Sequence, residues 1–394
     1  TTRLCSSAAS DVYKRQRNAV IVGYKRSPFT FARKGEMANI RPEDILSQTI
    51  NQLLNEIQIN KNDIEDIITG CAYPEGAQGN NIAKIVSFMT DMPEHVAGMT
   101  VNRWCGSSMQ AIHDATGAIA INSGDVFLCC GVESMTFIPM NGLTYDPHPQ
   151  LSKDNPNVYM SMGITAENVA KKFNISRKEQ QDFAISSHSK ANLARESNIF
   201  DNEIVSISNN NETITKDGGI RPNTSHEILD GLKLAFDENG TVTAGTASPL
   251  TDGASAVIVC EEEYAKKNNL NILARIKSTA VVGCPPELMG LGPINASKKA
   301  LKRANLSISD IDIVELNEAF ASQSLACIKE LNMDINKVNI HGGAIALGHP
   351  LGATGARITG KVATLLQNNN KKYGLATQCI GLGQGIATVL ENIN

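Results

Sequence analysis

The sequence predicts an α/β fold made of two similar layered lobes, the first of which is interrupted by an insertion. Short β-branched runs alternate with helices that carry an apolar stripe, which is the pattern of a layered α/β domain. Segments of the first half also recur, in the same order, in the second half. At 394 residues the chain exceeds what one hydrophobic core usually organises, which favours more than one lobe.

The first elements along the chain are a strand, a helix and a second strand. Residues 19–22 form a β-branched run that predicts a buried strand, and we expect Gly23 to end it. Pro42 is suited to the first turn of a helix with one apolar stripe. Residues 64–68 contain three isoleucines and predict the next strand. The stripe consists of Leu46, Ile50, Leu53 and Ile57.

The internal repeat locates an insertion in the first half, because each of the two repeats is expected to end with one last strand. In the second half that strand, residues 385–389, follows at once, whereas its counterpart at 253–258 arrives only after a long polar segment. We therefore expect an insertion of about 135–244 that covers a site rather than builds a core. The paired segments are 63–68 with 310–314, 101–106 with 349–353, and 126–131 with 375–381.

These boundaries define the predicted domains. The first lobe comprises residues 17–134 and 245–272, the inserted loop domain residues 135–244, and the second lobe residues 273–394. Residues 1–16 are polar and show no period, so we exclude them from the fold as a non-native or disordered leader.

Charge and composition exclude several classes of protein. The formal net charge of −4 gives no overall basic field for nucleic acid. The sequence has no stretch approaching the roughly 18 consecutive apolar residues of a transmembrane helix. The nine cysteines are odd in number and lack a Cys-x-x-Cys pair, which favours free thiols over a disulfide scaffold or a zinc site. We expect no metal and no prosthetic group.

Cys105 lies where an apolar run gives way to small residues suited to a tight turn and a helix start. A thiol at a helix N-terminus has its pKa lowered by the amides and the helix dipole, which favours a nucleophilic thiolate. The alternative is a buried cysteine that fills a small gap in the core.

His349 lies in a glycine-rich segment, residues 341–355, and is followed by Pro350. Such a segment holds an imidazole in a fixed loop, where it can serve as the base for a nucleophile. A hydrogen-bonded structural histidine is the alternative.

Two further segments follow predicted strands. Cys379 ends a strand before a glycine-rich hairpin, at the edge where open α/β sheets place their sites, although packing is again the alternative. Asn317 begins the run Asn-Glu-Ala-Phe, which either caps the next helix or holds a water or a substrate oxygen. Cys129 and Cys130, on the equivalent strand of the first lobe, are expected to be core residues.

Four motifs together resemble the thiolase family. They stand in the family's order, and the similarity extends from about residue 19 to residue 391. The resemblance implies the thiolase fold, in which two five-stranded sheets have helices between and outside them, with a loop domain that matches the insertion. The motifs are Cys-Gly-Ser-Ser-Met at 105–109, Asn-Glu-Ala-Phe at 317–320, Gly-Gly-Ala-Ile-Ala-Leu-Gly-His-Pro at 342–350 and Cys-Ile-Gly-Leu-Gly at 379–383.

The resemblance also implies a reaction, the CoA-dependent retro-Claisen cleavage of a 3-ketoacyl-CoA in fatty-acid β-oxidation. Cys105 would be the nucleophile that becomes acylated, His349 the base that takes its proton, and Cys379 the general acid and base. One oxyanion hole would consist of His349 and a water held by Asn317. The other would consist of the backbone amides of Cys105 and Gly381.

CoA enters this scheme as a substrate. By resemblance, its groove is lined by Met162, Arg221, Ser248 and Phe320, with Arg221 at the adenine and phosphate end. The partners implied are acyl-CoA, CoA and further copies of the chain in a homodimer or homotetramer. A hydratase–dehydrogenase subunit of a β-oxidation complex is a further implied partner, and the location implied is the bacterial cytoplasm.

Within the family, bacterial degradative members are the better match. Short-chain biosynthetic members typically carry a histidine where Ser161 stands here, and residues 281–286 and 383–389 look more like the degradative enzymes. Trp104 is bulkier than the residue typical of its position, so we expect it to narrow the acyl pocket.

Three alternatives stay open from the sequence. The first is a biosynthetic acetyl-CoA acetyltransferase that makes acetoacetyl-CoA with the same residues. The second is a protein of thiolase fold that binds acyl-CoA or lipid without turnover. The third is a cysteine hydrolase, which needs only one cysteine and one histidine.

Overall fold

The computed structural model describes residues 17–209 and 212–394. The leader predicted for residues 1–16, with Cys5, lies outside the described residues. The strands are β1 (Ala19–Arg26), β2 (Thr30–Phe31), β3 (Ile64–Gly70), β4 (Ala97–Val101), β5 (Val126–Ser134), β6 (Ile207–Ser208), β7 (Thr213–Ile214), β8 (Thr251–Glu261), β9 (Ala274–Gly283), β10 (Ile313–Leu316), β11 (Tyr373–Ile380) and β12 (Gln384–Glu391). The helices are α1 (Pro42–Ile57), α2 (Ile82–Met89), α3 (Ser107–Ala120), α4 (Pro149–Asp154), α5 (Met162–Phe173), α6 (Arg177–Glu196), α7 (His226–Asp230), α8 (Glu262–Lys267), α9 (Gly292–Ala304), α10 (Ala321–Leu331), α11 (Ala344–Leu347) and α12 (Leu351–Asn368).

The strands of both lobes join into one mixed sheet. Its order within the described residues is β10-β11-β12-β9-β1-β8-β5-β3-β4, and the short β2 pairs with β8. The two lobes meet where β1 pairs with β9, through Val20 with Arg275 and Ile21 with Ala274. This short junction makes the two sheets continuous.

The pairing pattern of the first lobe recurs in the second. In the first lobe β1, β8 and β5 are antiparallel neighbours, and β3 is parallel to both β5 and β4. In the second lobe β9, β12 and β11 are antiparallel neighbours, and β10 is parallel to β11. In place of a fifth strand, the second lobe has an isolated parallel bridge between Val314 and Val338.

The helices form layers on both sides of each sheet. Helices α3 and α12 pack between the two lobes in one apolar core, whereas α1 and α2 cover the outer face of the first lobe and α9 and α10 that of the second. The central pair approaches closely at Gly355, where a Cβ atom would lie 2.3 Å from the backbone nitrogen of Met109. Cys129 and Cys130 are fully buried on opposite faces of β5, which confirms them as core residues.

The first predicted elements are confirmed, with one difference. Helix α1 begins at Pro42, and β1 begins at Ala19 but continues through Gly23 to Arg26. The expectation that Gly23 ends the strand is wrong, because the register against β8 shifts between Ile21 and Gly23, as in a β-bulge. Because glycine has no side chain, the bulge fits against α1, whereas a Cβ atom at Gly23 would lie 2.7 Å from Ile57.

The segment between β5 and β8 is fixed to both lobes by buried charges. Glu203 accepts a hydrogen bond from Arg26 Nε of β1 at 2.9 Å and one from Lys361 Nζ of α12 at 2.7 Å. Arg26 also contacts Asp217 with both terminal nitrogens, at 2.7 and 2.8 Å. Helix α6 of this segment begins with a capping box formed by Ser176 and Glu179. The segment is therefore anchored at its middle as well as at its ends.

Candidate active site

Cys105 lies in the tight turn between β4 and α3. Trp104, directly before it, has a left-handed φ of 46°. The side chain of Cys105 is 9% exposed and packs in an apolar cluster that includes Tyr73 and Met135. Its carbonyl oxygen accepts a hydrogen bond from the side-chain amide of Gln378 in β11. The candidate nucleophile is thus held by contacts from both lobes.

The thiol of Cys105 is a weak acid in this environment. Burial raises its pKa to about 11, although the backbone amide of Gly381 hydrogen-bonds to the sulfur and acts in the opposite direction. The lowered pKa expected from the sequence is therefore wrong. Helix α3 begins only at Ser107, and the desolvation of a buried thiolate outweighs the nearby amides. A base must take the proton when this thiol attacks.

His349 is held at three points. Gly348 before it has a φ of 110°, a conformation that favours glycine, and the backbone N–H of His349 donates to Thr251 Oγ1 at 3.1 Å. Ring atom Nδ1 lies 2.6 Å from Thr354 Oγ1, and Nε2 lies 3.3 Å from Asn317 Nδ2. The imidazole is buried, and both of its nitrogens have a contacting polar atom.

The imidazole of His349 is neutral near pH 7. Burial, reinforced by the positive charge of Arg357, lowers its pKa to about 3. A neutral ring has one nitrogen lone pair that can accept a proton. His349 is therefore in the protonation state that a base for the Cys105 thiol requires.

Asn317 follows β10 and is fully buried. Its backbone N–H donates to the carbonyl oxygen of Thr377 at 3.0 Å, and its Nδ2 atom faces His349. Among the described residues its Oδ1 atom has no hydrogen-bonding partner, which leaves an acceptor that a bound water would satisfy. Helix α10 has Phe320 at its N-cap, so Asn317 does not cap that helix.

Cys379 lies near the end of β11 and is 1% exposed. It packs in a second apolar cluster with Phe320, and Met162 lies at the margin of that cluster. Burial raises the pKa of the Cys379 thiol well above its usual value, and a charge on Cys105 raises it further. The two thiols are therefore electrostatically coupled.

Gly381 lies between these two clusters. A Cβ atom on Gly381 would lie 3.7 Å from the Trp104 ring and 3.8 Å from the Met162 sulfur. The backbone at this position thus joins the surroundings of Cys105 to those of Cys379. Two thiols, a neutral imidazole and converging amides are the groups needed for covalent acyl transfer.

The residues predicted to line the CoA groove fall in two places. The backbone N–H of Ser248 donates to the carbonyl oxygen of Ala319 at 3.0 Å, and Phe320 packs edge-on against Phe236 at 5.9 Å between centroids. These residues lie next to the Cys379 cluster, as does Met162. Arg221 is exposed, and its guanidinium lies 5.3 Å from the centroid of the Phe31 ring.

Sequence reasoning missed four residues that hold the site. Thr251, Thr354 and Gln378 contact His349 or Cys105, and Glu133 binds the N-terminus of α12. The one available signal was the spacing of Thr354, which lies one helical turn after Pro350 and thus near His349. The other three contacts depend on how the lobes pack.

Comparison with known proteins identifies the family. The model of the thiolase N-terminal domain matches residues 19–263, and that of the thiolase C-terminal domain matches residues 270–392. The chain belongs to the thiolase family. Its candidate site therefore lies in a thiolase whose two domain matches together span nearly all of the described residues.

Several relatives of this thiolase are curated or structurally known. A 3-ketoacyl-CoA thiolase of Photobacterium profundum is 47% identical over 386 residues, which cover 95% of this chain and 100% of that protein. One of Shewanella frigidimarina is 46% identical over 387 residues, or 96% of this chain and 100% of the relative. The crystal structure of human mitochondrial 3-ketoacyl-CoA thiolase in complex with CoA superimposes with a TM-score of 0.89 at 36% identity, covering 96% of this chain and 98% of that one.

Proposed function

We propose that this thiolase cleaves 3-ketoacyl-CoA with CoA, giving acetyl-CoA and a shortened acyl-CoA. The observation that carries the proposal is the 47% identity, over 95% of the chain, to a bacterial protein named for this substrate. The reaction needs a nucleophile, a base and a second acid, which correspond to Cys105, His349 and Cys379. This assignment makes the chain an acyltransferase of fatty-acid β-oxidation.

The first half-reaction acylates Cys105. Its sulfur attacks the 3-keto carbonyl while Nε2 of neutral His349 takes the thiol proton. The carbon–carbon bond then breaks, leaving the acyl group on Cys105 and the electron pair on acetyl-CoA as an enolate. Cys379 protonates that enolate carbon. The raised pKa of Cys379 keeps its proton available for this step.

The second half-reaction releases the acyl group. Cys379, now a thiolate, takes the proton of an incoming CoA thiol, whose sulfur attacks the acyl-Cys105 thioester. The Cys105 thiolate leaves and regains its proton from His349, which restores the starting state. Each thiol thus returns to the protonated form favoured by its burial.

Both half-reactions place negative charge on a carbonyl oxygen. The orphaned Oδ1 of Asn317 supports a water that, with protonated His349, stabilises one such oxyanion. The amide of Gly381, directed at the Cys105 sulfur, supports the second oxyanion hole together with the amide of Cys105. Loss of one such donor typically lowers kcat by about 10²–10³-fold.

CoA is held as a substrate on the Cys379 side of the site. Met162, Ser248 and Phe320 supply apolar and backbone contacts beside that thiol for the pantetheine arm. Arg221 is exposed and stacks on Phe31, which leaves a cation at the surface for the adenine and phosphate end. The insertion of residues 135–244 carries two of these four groove residues, Met162 and Arg221, and we propose the same boundaries for it as a loop domain.

Thiolysis of acetoacetyl-CoA and 3-ketodecanoyl-CoA by wild type, Cys105→Ser and Cys379→Ala tests the proposal. We expect wild type to turn over and both variants to lose at least about 10³-fold in kcat. Full activity of Cys379→Ala would favour a cysteine hydrolase. Absence of thiolysis in wild type, with no selective labelling of Cys105 by iodoacetamide even at about pH 10, would favour a protein that only binds acyl-CoA.

A biosynthetic enzyme would use the same residues, so only its preference for short substrates distinguishes it from a degradative enzyme. We propose the degradative role because the curated relatives named above are 3-ketoacyl-CoA thiolases. The decisive measurement is kcat/KM for C4 against C10–C16 3-ketoacyl-CoA. A strong preference for C4 would overturn the degradative assignment.

We also propose that the protein is a homodimer of the bacterial cytoplasm, formed through the β4 edge. Strand β4 ends the sheet and pairs with β3 on one side, and its Met99 is 40% exposed. Phe88 and Ile121 nearby in sequence are 66% and 78% exposed. An apolar edge that, within residues 17–209 and 212–394, pairs on one side only favours pairing with a second copy. Within the described residues, the helices are too short or too polar to cross a membrane.

Light scattering after size-exclusion chromatography tests this assembly. We expect a dimer for wild type and for Leu193→Glu, which changes an exposed leucine on α6, and a monomer for the double variant Phe88→Glu/Met99→Lys. A wild-type tetramer that the double variant reduces to dimers would add a second interface. Co-elution with a hydratase–dehydrogenase subunit would identify the complex expected of degradative members.

A further inference from the structure

We propose that Thr354 is a positioning residue that fixes the tautomer of His349, so that the lone pair of Nε2 faces the reaction. The inference deepens the proposed function and rests on it, because it explains how His349 is prepared to act as a base. Thr354 is fully buried in the first turn of α12, five residues after His349.

The hydroxyl of Thr354 has one proton and two contacts. Its Oγ1 atom donates to the carbonyl oxygen of Pro350 at 3.0 Å and lies 2.6 Å from His349 Nδ1. A carbonyl oxygen can only accept, so the hydroxyl proton points to Pro350. Oγ1 is then left as an acceptor toward the ring, and His349 Nδ1 must be the nitrogen that carries a proton.

The contact at the other ring nitrogen agrees with this assignment. Asn317 Nδ2, which is a donor, lies 3.3 Å from His349 Nε2. A donor opposite Nε2 requires an unprotonated Nε2, whereas a proton on this nitrogen would place two donors against each other. Both contacts therefore select the tautomer with the proton on Nδ1.

This tautomer leaves on Nε2 the lone pair that the proposed mechanism uses. When Cys105 attacks, its S–H bond breaks and the proton moves to Nε2, so the ring becomes an imidazolium. Thr354 Oγ1 then accepts from Nδ1–H of a cation, a stronger hydrogen bond than the one to the neutral ring. Because the contact strengthens as charge develops, it assists the transition state more than the resting enzyme.

A purely structural role is the competing explanation, because threonine hydroxyls often bond to the carbonyl four residues back in a helix. Two variants separate the explanations. Thr354→Val keeps the shape and removes the hydroxyl, whereas Thr354→Ser keeps the hydroxyl and removes a methyl group. If the tautomer matters, kcat of Thr354→Val falls about 10–100-fold with KM unchanged, the range known for lost partners of metal-binding histidines. Thr354→Ser retains kcat within roughly 3-fold under the same reading.

The tautomer is read directly by ¹⁵N NMR of histidine-labelled protein, with His349→Asn identifying the signal. In wild type and Thr354→Ser we expect a pyridine-type Nε2 and a pyrrole-type Nδ1, and in Thr354→Val a smaller population of that tautomer, because only the contact with Asn317 Nδ2 then selects it. A pyrrole-type Nε2 in wild type, or an unchanged tautomer and kcat in Thr354→Val, would overturn the proposal. The NMR experiment needs no turnover, so it tests the tautomer even if wild type fails to cleave 3-ketoacyl-CoA. Such a failure would refute the proposed function and not the tautomer assignment.

Discussion

The carboxylate of Glu133, at the end of β5 in the first lobe, accepts a hydrogen bond from the backbone N–H of Gly352 at 2.8 Å. Gly352 lies in the first turn of α12, directly after the loop that holds His349. The same carboxylate accepts from the backbone amides of Ala72 and Tyr73, at 2.8 and 3.3 Å, beside the Cys105 cluster. One buried side chain thus connects the segment around Cys105 to the segment that carries His349.

Replacing Glu133 with glutamine is expected to damage both stability and activity. The side chain keeps its size, but its amide nitrogen must face backbone N–H groups that need an acceptor. We expect the free energy of unfolding to fall by about 2–4 kcal/mol and kcat of the folded fraction to drop. Urea unfolding and thiolysis measure the two effects. Glu330→Gln, on the exposed part of α10, serves as the control and should change stability by less than about 0.5 kcal/mol.

Acid is expected to destabilise the protein through Glu203. Burial alone would raise the pKa of this carboxyl, but Lys361 and Arg26 outweigh burial and lower the pKa to about 2 from an ordinary value of 4.5. A lowered pKa in the folded state stabilises the fold above pH 4.5, and this contribution is lost as the pH falls toward 2. We expect a loss of about 3 kcal/mol across that interval.

The acid effect is measured by urea unfolding at several pH values for wild type and Glu203→Gln. The variant should be less stable at pH 7, and its stability should depend less on pH below 4.5. Parallel curves for the two proteins would show that other carboxyls cause the acid sensitivity.

The reaction of Cys105 with iodoacetamide is expected to be slow near neutral pH. With a pKa raised to about 11 by burial, only a small fraction of the thiol is ionised at pH 7, and that fraction rises about tenfold for each pH unit. The labelling rate, followed by mass spectrometry of the peptide, should therefore keep rising up to at least pH 10. Cys105→Ser supplies the background. A rate that levels off near pH 7 would mean that the free enzyme already contains the thiolate.

Trp104 is expected to restrict the acyl chain. Its ring packs edge-on against Tyr73, with 5.1 Å between centroids, and lies next to Gly381, whose backbone amide hydrogen-bonds to the Cys105 sulfur. Trp104→Leu removes this bulk and should raise kcat/KM for C10–C16 substrates relative to C4 by about 10-fold. Trp104→Phe should give an intermediate ratio. An unchanged ratio in both variants would place the limit on chain length elsewhere.

The candidate catalytic residues can be recognised from the sequence, whereas the residues that hold them in position cannot. Cys105, His349 and Cys379 are recognisable because small residues and strand ends surround them, and these signals are local. The acidity of Cys105 depends on how deeply its turn is buried, which no local pattern records. Glu133 contacts Gly352 across 219 residues, so its role follows only from the packing of the lobes. The bulge at Gly23 likewise depends on the partner strand β8.

The candidate reacting groups lie on different lobes, and this affects the activity of a chain that is only partly folded. Under the proposed mechanism the nucleophile Cys105 comes from the first lobe, and His349 and Cys379 come from the second, so neither lobe alone would contain all three groups. A chain with only one lobe folded would therefore lack the groups needed to cleave a bound acyl-CoA. We therefore expect activity to appear only when the two lobes pack against each other. Two polypeptides divided near residue 270 would be active only after they associate.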